Sequence, residues 1–343
     1  MEHTITASPK NKTAIVILNW NGRTFLDKFL PSVVKYSSDA MIYVIDNAST
    51  DDSVMFVRNN FPQVNLLQNS NNEGFCKGYN LALKKINSEY YILLNNDVEV
   101  TKDWLTPVIS LMESDRKIAV CQPKIKSFQN KEYFEYAGAS GGFLDKYGYP
   151  FCRGRIFDVV EKDQGQYDDT IKVTWASGAA FFVRASVYHE LGGLDQDFFA
   201  HMEEIDFCWR SSSAGYKVMC CPRSTVYHLG GGTLAKSNPQ KTFLNFRNGL
   251  YLLHKNLPSD QLVFVIFKRL LLDGIAGIRL FFIGKFLDTF AIIKAHFAYY
   301  GAIYFLNLKR KRSQHIQVNV LKSKSIVYTY FVKKKKYFDK DEN

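Results

Sequence analysis

The sequence predicts an α/β fold: an open, mostly parallel sheet flanked by helices, with a C-terminal amphipathic helical extension. Three observations predict it. Over the first 120 residues, short apolar runs alternate with stretches of helical spacing, the pattern of repeated strand–helix–strand units. Several of those runs stop abruptly in Asn, Asp and Gly, which places polar groups where a sheet meets solvent, the edge at which open α/β sheets bind ligands. From about residue 243 the chain turns strongly apolar, with charges recurring every few residues.

TAIVILN (13–19) is a short β-branched run and reads as the first strand. RTFLDKFLPSVVKYS (23–37) has helical spacing, with a kink expected at Pro31. MIYVID (41–46) is the second strand, and DDSVMFVRNNF follows as a helix capped by Ser49 or Thr50. VNLLQ (64–68) is the third strand, 75–87 a helix, and YYILL (90–94) the fourth strand. Residues 122–172 are rich in Gly, Tyr, Lys and Asp and read as loops and short strands. VTWASGAAFFVRASVYHELGG (173–193) gives a strand, a helix and a Gly-Gly turn. FFAHMEEIDFCWRSSSAG (198–215) is a helix opened by acids and closed at Gly215. YKVMCCP and TVYHLGGGT supply a last strand and a glycine-rich exit.

The chain has 343 residues, enough for one large domain plus an extension, and 46 % are apolar, enough for a full core. The net charge is +11, of which residues 309–343 carry +8. A basic tail of this kind seeks a polyanion, nucleic acid or an anionic membrane surface, unless it is merely solvated. A nucleic-acid reader would carry basic residues across its folded face, whereas residues 1–308 net only +3, so no nucleic-acid partner is expected. The six cysteines form no CxxC pair, and the N-terminus has no apolar signal region, which together fit a reducing cytosol. The longest uncharged run in the apolar region, 295–308, has 14 residues, short of the ~20 that cross a bilayer. Two readings remain for that region: amphipathic helices lying in a membrane interface, or a helical layer packed on the sheet.

Four clusters fall at strand ends or helix starts: Asn19-Trp20-Asn21-Gly22; Asp46-Asn47-Ala48-Ser49-Thr50-Asp51; Asn72-Glu73-Gly74-Phe75 with Gly78 and Asn80; and Asn95-Asn96-Asp97. Parallel strands share one edge, so these should converge. Asp46 could accept from a base N–H or a ribose, and Gly74 and Gly78 allow close backbone approach. A carboxylate at Asp97 can hold a hard divalent cation, and the cation a diphosphate. A plain polar turn is the simpler reading of the same residues. No P-loop and no GxGxxG after the first strand is present. Later in the chain Glu203, Glu204 and Asp206 crowd three acids into four positions at a helix start, which can raise one carboxyl pKa. Asp206 could instead pair with Arg210 one turn on. Trp209 reads as core.

VILNWNG, VIDNASTDDS, NEGFCKGYN, LLNNDVEV, SGAAFFVR, GGLDQDFFAHMEEIDFCWR and VYHLGGGT occur in this order. Together they resemble the family-2 inverting glycosyltransferases of the GT-A fold, and most of all their rhamnosyltransferase-type bacterial branch, over roughly residues 12–250. The resemblance implies a nucleotide-binding aspartate at Asp46. It implies a DxD-type metal motif at Asn95-Asn96-Asp97, with Asp97 the metal-facing carboxylate and Asn95 beside it, and a metal-site histidine at His228. It puts the catalytic base on Glu204, with Asp206 the runner-up. Trp175 and the turn at Ser177-Gly178-Ala179 are expected to shape the acceptor and sugar pocket.

The expectation is therefore a metal-dependent inverting glycosyltransferase. It would carry a sugar, with rhamnose the one its branch suggests, from a nucleotide-diphosphate sugar to a saccharide acceptor, polyprenyl-linked, in cell-surface polysaccharide biosynthesis. Mg²⁺ or Mn²⁺ is the expected cofactor. The donor and nucleotide site would draw on Asn19, Asn21, Asp46, Asn47, Gly74, Gly78, Asn80, Asn95, Asn96, Trp175 and Gly178. The domains would be 1–250 for transfer, 251–308 for membrane association and 309–343 as a basic tail, placing the enzyme in the cytoplasm, peripheral on the inner face of the cell membrane. A non-catalytic nucleotide-sugar or polysaccharide binding protein is the rival reading. A processive synthase would need spanning segments and a QxxRW-like motif, and neither occurs.

Overall fold

A computed structural model describes residues 12–230, 238–312 and 318–339. Residues 1–11, Gly231–Thr233 of the glycine-rich exit and Lys340 of the basic tail lie outside the described residues. The first half alternates as the sequence predicts: β1 (Thr13–Asn19), α1 (Arg23–Lys35), β2 (Met41–Asp46), α2 (Ser53–Asn60), β3 (Asn65–Gln68), α3 (Gly74–Leu83) and β4 (Tyr90–Asn95). A short β5 (Val98–Val100) and α4 (Thr106–Ser114) follow. Helix α1 runs on through Pro31. The cap expected at Ser49 or Thr50 is not made. Helix α2 starts later, at Ser53, whose N–H is taken by Asp51, while the Ser49 hydroxyl accepts from the Asn21 N–H instead.

The region read as loops and short strands holds short strands and one long strand. β6 (Ile118–Ser127) is a ten-residue strand. A separate small antiparallel sheet follows, built from β7 (Gly142–Leu144), β8 (Pro150–Cys152), β9 (Arg155–Ile156) and β10 (Val159–Val160). Strands of two or three residues carry too little periodicity to read from sequence. Next come β11 (Ile171–Lys172), β12 (Ala180–Arg184), α5 (Ala185–Glu190), α6 (Glu203–Ser213) and β13 (Lys217–His228).

Among the described residues the main sheet has nine strands in the order β11-β13-β6-β12-β4-β1-β2-β3, with β5 paired to β13. The pairs β1–β2, β1–β4, β2–β3 and β6–β13 are parallel, while β12 runs against both β4 and β6. Neighbouring residues of the central strands serve opposite cores. Ile15, Ile17, Ile92 and Leu94 pack toward α1, α2 and α4, and Ala14, Val16, Tyr91 and Leu93 pack toward α3, α5 and α6. That two-sided burial is why these strands read as continuous apolar runs.

The C-terminal helices are α7 (Pro239–Asn256), α8 (Ser259–Phe282), α9 (Phe286–Arg312) and α10 (Ile326–Phe331). The expected boundary at residue 250 falls inside α7, which is one continuous helix packed on both α6 and α9. Helices α8 and α9 form a hairpin whose turn places Gly284 at φ +78°. Each uses one face to pack: Val265 and Ile266 on α8, Ile292, Ala295 and Tyr299 on α9 are buried. The other face is bare. Phe264, Phe267, Leu271, Ile275, Ile278 and Phe282 on α8, and Phe286, Phe290, Ile293, Phe297, Tyr300 and Tyr304 on α9, are exposed at three- and four-residue spacing. Among the described residues no helix is long and apolar enough to cross a membrane.

Residues 318–339, expected as a tail, fold back as a strap on the small sheet. The Lys322 and Ile326 N–H groups bond the Leu144 carbonyl and the Asp145 carboxylate, and the Phe338 ring stacks on Phe143 at 5.7 Å.

Candidate active site

Three parallel strands deliver the first groups to one edge. The register sets Asn19 beside Asp46 and Leu18 beside Asn95. Asp46 is 2 % exposed; its Oδ2 accepts from the Ser49 N–H at 3.1 Å. Its Oδ1 has no partner among the described residues and is shut from solvent. A buried carboxylate oxygen left open in this way is costly unless something binds it. Asn19 accepts from the Asn96 amide at 2.9 Å, and a side chain at Gly22 would collide with both.

Several expected ligand residues prove to be scaffold. Asn47 donates to Asn72 and the Gly74 carbonyl and accepts from Asn69 and the Glu73 N–H, which uses both ends of its amide to fold the 69–74 loop. Asn21, at φ +49°, accepts from the Thr50 N–H at 2.7 Å and ties the β1 exit to the β2 exit. Asn80 is corrected outright: it donates to the Leu194 carbonyl and accepts from the Tyr188 hydroxyl and the Leu194 N–H, all within the core. Trp175 is likewise core. It is 3 % exposed, its indole N–H bonds the Phe143 carbonyl, and its ring fills the space a side chain at Gly142 would need. Gly74, at φ +68°, faces the Phe199 ring, and Gly78 packs on Leu18.

The β4 end meets β13. His228, at the last position of β13, brings Nε2 to 3.1 Å from the Asp97 carboxylate and 3.4 Å from the Asn95 amide. On the opposite ring edge, Nδ1 stands 3.3 Å from Glu135, a residue sequence reasoning missed because it lies in the irregular region. Burial alone would depress the imidazole, yet Asp97 and Glu135 together hold it up to about 10. The imidazole sits between the two carboxylates. Accordingly, among the described residues no three His, Cys, Asp or Glu side chains close on one point. Asp97 and His228 Nε2 share one side; without a cation the imidazole keeps its proton on Asp97, and a hard cation entering between them would displace that proton and complete its shell with phosphate oxygens.

The base candidates sit at the start of α6. The Glu203 side chain is 5 % exposed, and Glu203 Oε2 and Glu204 Oε2 are both closed off without partners among the described residues. Burial pushes the Glu204 carboxyl up to about 7, against the lowering pull of N–H groups at the helix start. Burial and the neighbouring Glu204 charge push Glu203 well above the usual carboxylate range. The Glu204 carboxyl carbon lies 4.0 Å from where a side chain at Gly178 would begin. The adjoining Ala179 carbonyl accepts from the Asn95 N–H at 3.0 Å, so the 177–179 turn joins the Glu204 side of the crevice to the Asp97 side.

Asp206 has a different task. It is fully buried, takes Lys255 and Arg210 each at 2.8 Å, and takes the Asn256 amide. Burial opposes its charge, but the two cations hold it below the usual carboxylate range. It is not free to take a proton. A concavity of about 460 Å³ between Lys12, Lys35 and Lys102 lies at the other edge of the sheet, away from all these groups.

Comparison with known proteins follows the same outline. Residues 14–192 match the family described as glycosyl transferase family 2. A low-salt glycan biosynthesis hexosyltransferase from Haloferax volcanii is 20 % identical over 241 residues, 68 % of this chain and 73 % of that protein. The N-acetylglucosaminyl-diphospho-decaprenol L-rhamnosyltransferase of Mycobacterium tuberculosis is 20 % identical over 229 residues, 62 % of this chain and 75 % of that one. Among solved structures, GalNAc-T7 with UDP, GalNAc and Mn²⁺ superposes with a TM-score of 0.63 at 17 % identity. That match covers 94 % of this chain, which spans 57 % of the neighbour, and the likeness is one of fold.

Proposed function

The chain belongs to glycosyl transferase family 2, with the GT-A fold, and on that premise we propose that it is an inverting transferase using a nucleotide-diphosphate sugar. The observation that carries this reading is Glu204: a half-buried carboxyl whose Oε2 is closed from solvent without a partner among the described residues, pushed by burial up to about 7, beside the 177–179 turn that touches both sides of the crevice. A structural carboxylate would be paired, as Asp206 is. A base for an alcohol needs a pKa near the working pH.

Glu204 takes the proton of the acceptor hydroxyl. The hydroxyl oxygen attacks the anomeric carbon from the face opposite the nucleotide, and the bond from that carbon to the diphosphate oxygen breaks, inverting the centre. The open Asp46 Oδ1 accepts from the base or ribose of the donor. Asp97 and His228, with Asn95 beside them, would hold Mg²⁺ or Mn²⁺, which when bound offsets charge on the leaving diphosphate. Asn19 and Asn96 brace the floor of this edge. A non-catalytic binding protein gives no reason for a carboxyl at this turn with Oε2 closed from solvent and left without a partner among the described residues.

The finer reading is a saccharide acceptor on a polyprenyl diphosphate at the inner face of the cell membrane, in cell-surface polysaccharide biosynthesis. The M. tuberculosis relative's decaprenol-linked substrate supports it, as does its sugar for a rhamnose donor. So does the bare apolar face of α8 and α9. The acidic residues between 261 and 312 are Asp273, fully buried, and Asp288, bonded to Thr242, so that face meets the surface with Lys268, Arg279, Lys285 and Lys294 and no free carboxylate. An anionic bilayer suits it. The first experiment is a panel of nucleotide sugars with Mn²⁺, read by thermal shift and by transfer. A donor that binds should raise Tm by mass action; no shift and no transfer with any of them overturns the reading.

A further inference from the structure

Directly before Glu203 and Glu204 the backbone is held in rarely used conformations. Phe199 (φ +63°, ψ −59°) centres a γ-turn closed by the Ala200 N–H on the Phe198 carbonyl at 2.8 Å. His201 (φ +68°) and Met202 (φ +73°) follow in the left-handed region, so three of four consecutive residues adopt a positive φ without being glycine. Such conformations persist only where the surroundings over-determine them. They set the direction in which α6 begins, and hence where the Glu204 carboxyl points.

The surroundings that over-determine them belong to α7. The Asn248 amide nitrogen, wholly buried, lies 2.9, 2.8 and 2.7 Å from the Phe198, Ala200 and His201 carbonyls, which share its two N–H groups. Its own oxygen accepts from the Arg247 Nε at 2.9 Å, and Arg247 Nη2 reaches the Asp197 and Phe198 carbonyls, each at 3.1 Å. Two turns further along, Lys255 binds Asp195 at one end of the segment and Asp206 at the other, joined there by Asn256. Asn is a poor residue for a helix interior. A fully buried one whose amide serves three carbonyls of another segment is there for that segment.

The geometry points to Asn248, assisted by Arg247, as the positioning residue that holds the 198–202 loop in its strained path so that Glu204 stands in the crevice. Helix α7 is in turn pinned to α9 by His254 on Tyr299 and by Phe243 and Leu244 against Ala291 and Ala295. The C-terminal helices therefore contribute to the transfer step itself, beyond any role in docking. Asn248 touches no reacting atom; it acts through Glu204. The inference rests on Glu204 being the base.

The test is a double-mutant cycle. Asn248→Ala should lower kcat by about 10–10²-fold, the scale of a misplaced catalytic group, with the donor KM within about twofold. In a Glu204→Gln background the same change should alter the residual rate by less than about threefold, because the group it positions is already disabled. An unchanged kcat, an equal rise in donor KM, or a full multiplicative loss in the Glu204→Gln background overturns the inference. Should Asn248→Ala not fold, Arg247→Gln at its partly exposed site carries the same cycle with a smaller loss. If the wild type transfers from no nucleotide sugar, the transferase reading falls separately. Hydrogen exchange then decides the clamp: amides 199–205 should exchange at least about tenfold faster in the variant while β1 and β4 do not change, and equal rates overturn it.

Discussion

Glu204 and Asp206 sit two positions apart on one helix and face opposite demands. Asp206 is compensated by two cations and an amide; Glu204 has no cation, and its Oε2 has no partner among the described residues. Three outcomes follow from that contrast. Glu204→Gln should cut transfer by about 10²–10⁴-fold with nucleotide binding unchanged, and the wild-type kcat/KM should fall about tenfold per pH unit below pH 7. The same group links stability to pH. Its folded value, about 7, lies above the ordinary 4.5, so within that window the native state keeps a proton the unfolded chain has released. Stability is therefore lost as pH rises from 4.5 to 7, and Glu204→Gln should recover on the order of 1–3 kcal/mol above pH 7 and nothing below 4.5, read as Tm against pH. Asp206→Asn should do something else: leave Lys255 and Arg210 under-compensated and cost about 3 kcal/mol or more of stability in denaturant titration, with the acidic limb of the rate profile intact. Asp97→Ala should abolish transfer and weaken donor binding, and exhaustive chelation should silence the wild type; full activity after chelation would overturn the metal reading.

At the scale of elements, the strands with two-sided burial were legible and the marginal ones were not. β1, β2 and β4 announce themselves because each is a continuous apolar run ending in Asn or Asp. β7 to β10 have two or three residues apiece and are stabilised by partners far along the chain. The strap at 318–339 is one of those partners, and its basic composition hides the anchoring rings. Phe338→Ala should lower stability by ~1–2 kcal/mol through lost contact with Phe143 and Phe151, measured by urea denaturation. Equal stability would mean the strap rests on the small sheet without contributing to it.

At the scale of the molecule, one helical layer serves two surfaces. Helix α7 packs on α6 and the loop before it, and α8 and α9 pack on α7; the outer face of α8 and α9 is apolar and rimmed with Lys and Arg. Full-length chain should float with anionic vesicles, more weakly as salt rises but without full release, because apolar contact survives screening. Phe282→Glu with Phe290→Glu, two exposed positions on the bare face, should abolish flotation and leave transfer to a water-soluble acceptor unchanged. Retention of the wild type in the supernatant at low salt would remove the membrane from the picture.

The sequence by itself determined the alternation of β1 to β4, the edge at which their polar ends collect, and the identity of Asp46, Asp97, Glu204 and His228 as the groups to examine. Local patterning suffices for the strands and their edge, because a buried parallel strand and a polar strand end are written in adjacent residues; Glu204 and His228 were singled out by the family resemblance. Tertiary structure alone decided which polar residues are open and which are spent. Asn47 and Asn80 look like ligands in the chain and are saturated by partners as far as 27 and 114 residues away, and Asp206, whose pairing with Arg210 one turn on was legible, is completed by Lys255 and Asn256 from 49 and 50 residues away. Glu135 reaches His228 from the region where no pattern is visible, across 93 positions of chain. The same holds for Asn248, whose three acceptors lie on a loop 47 to 50 residues earlier. Hydrogen-bond saturation depends on what the fold brings near, and no window of sequence contains that.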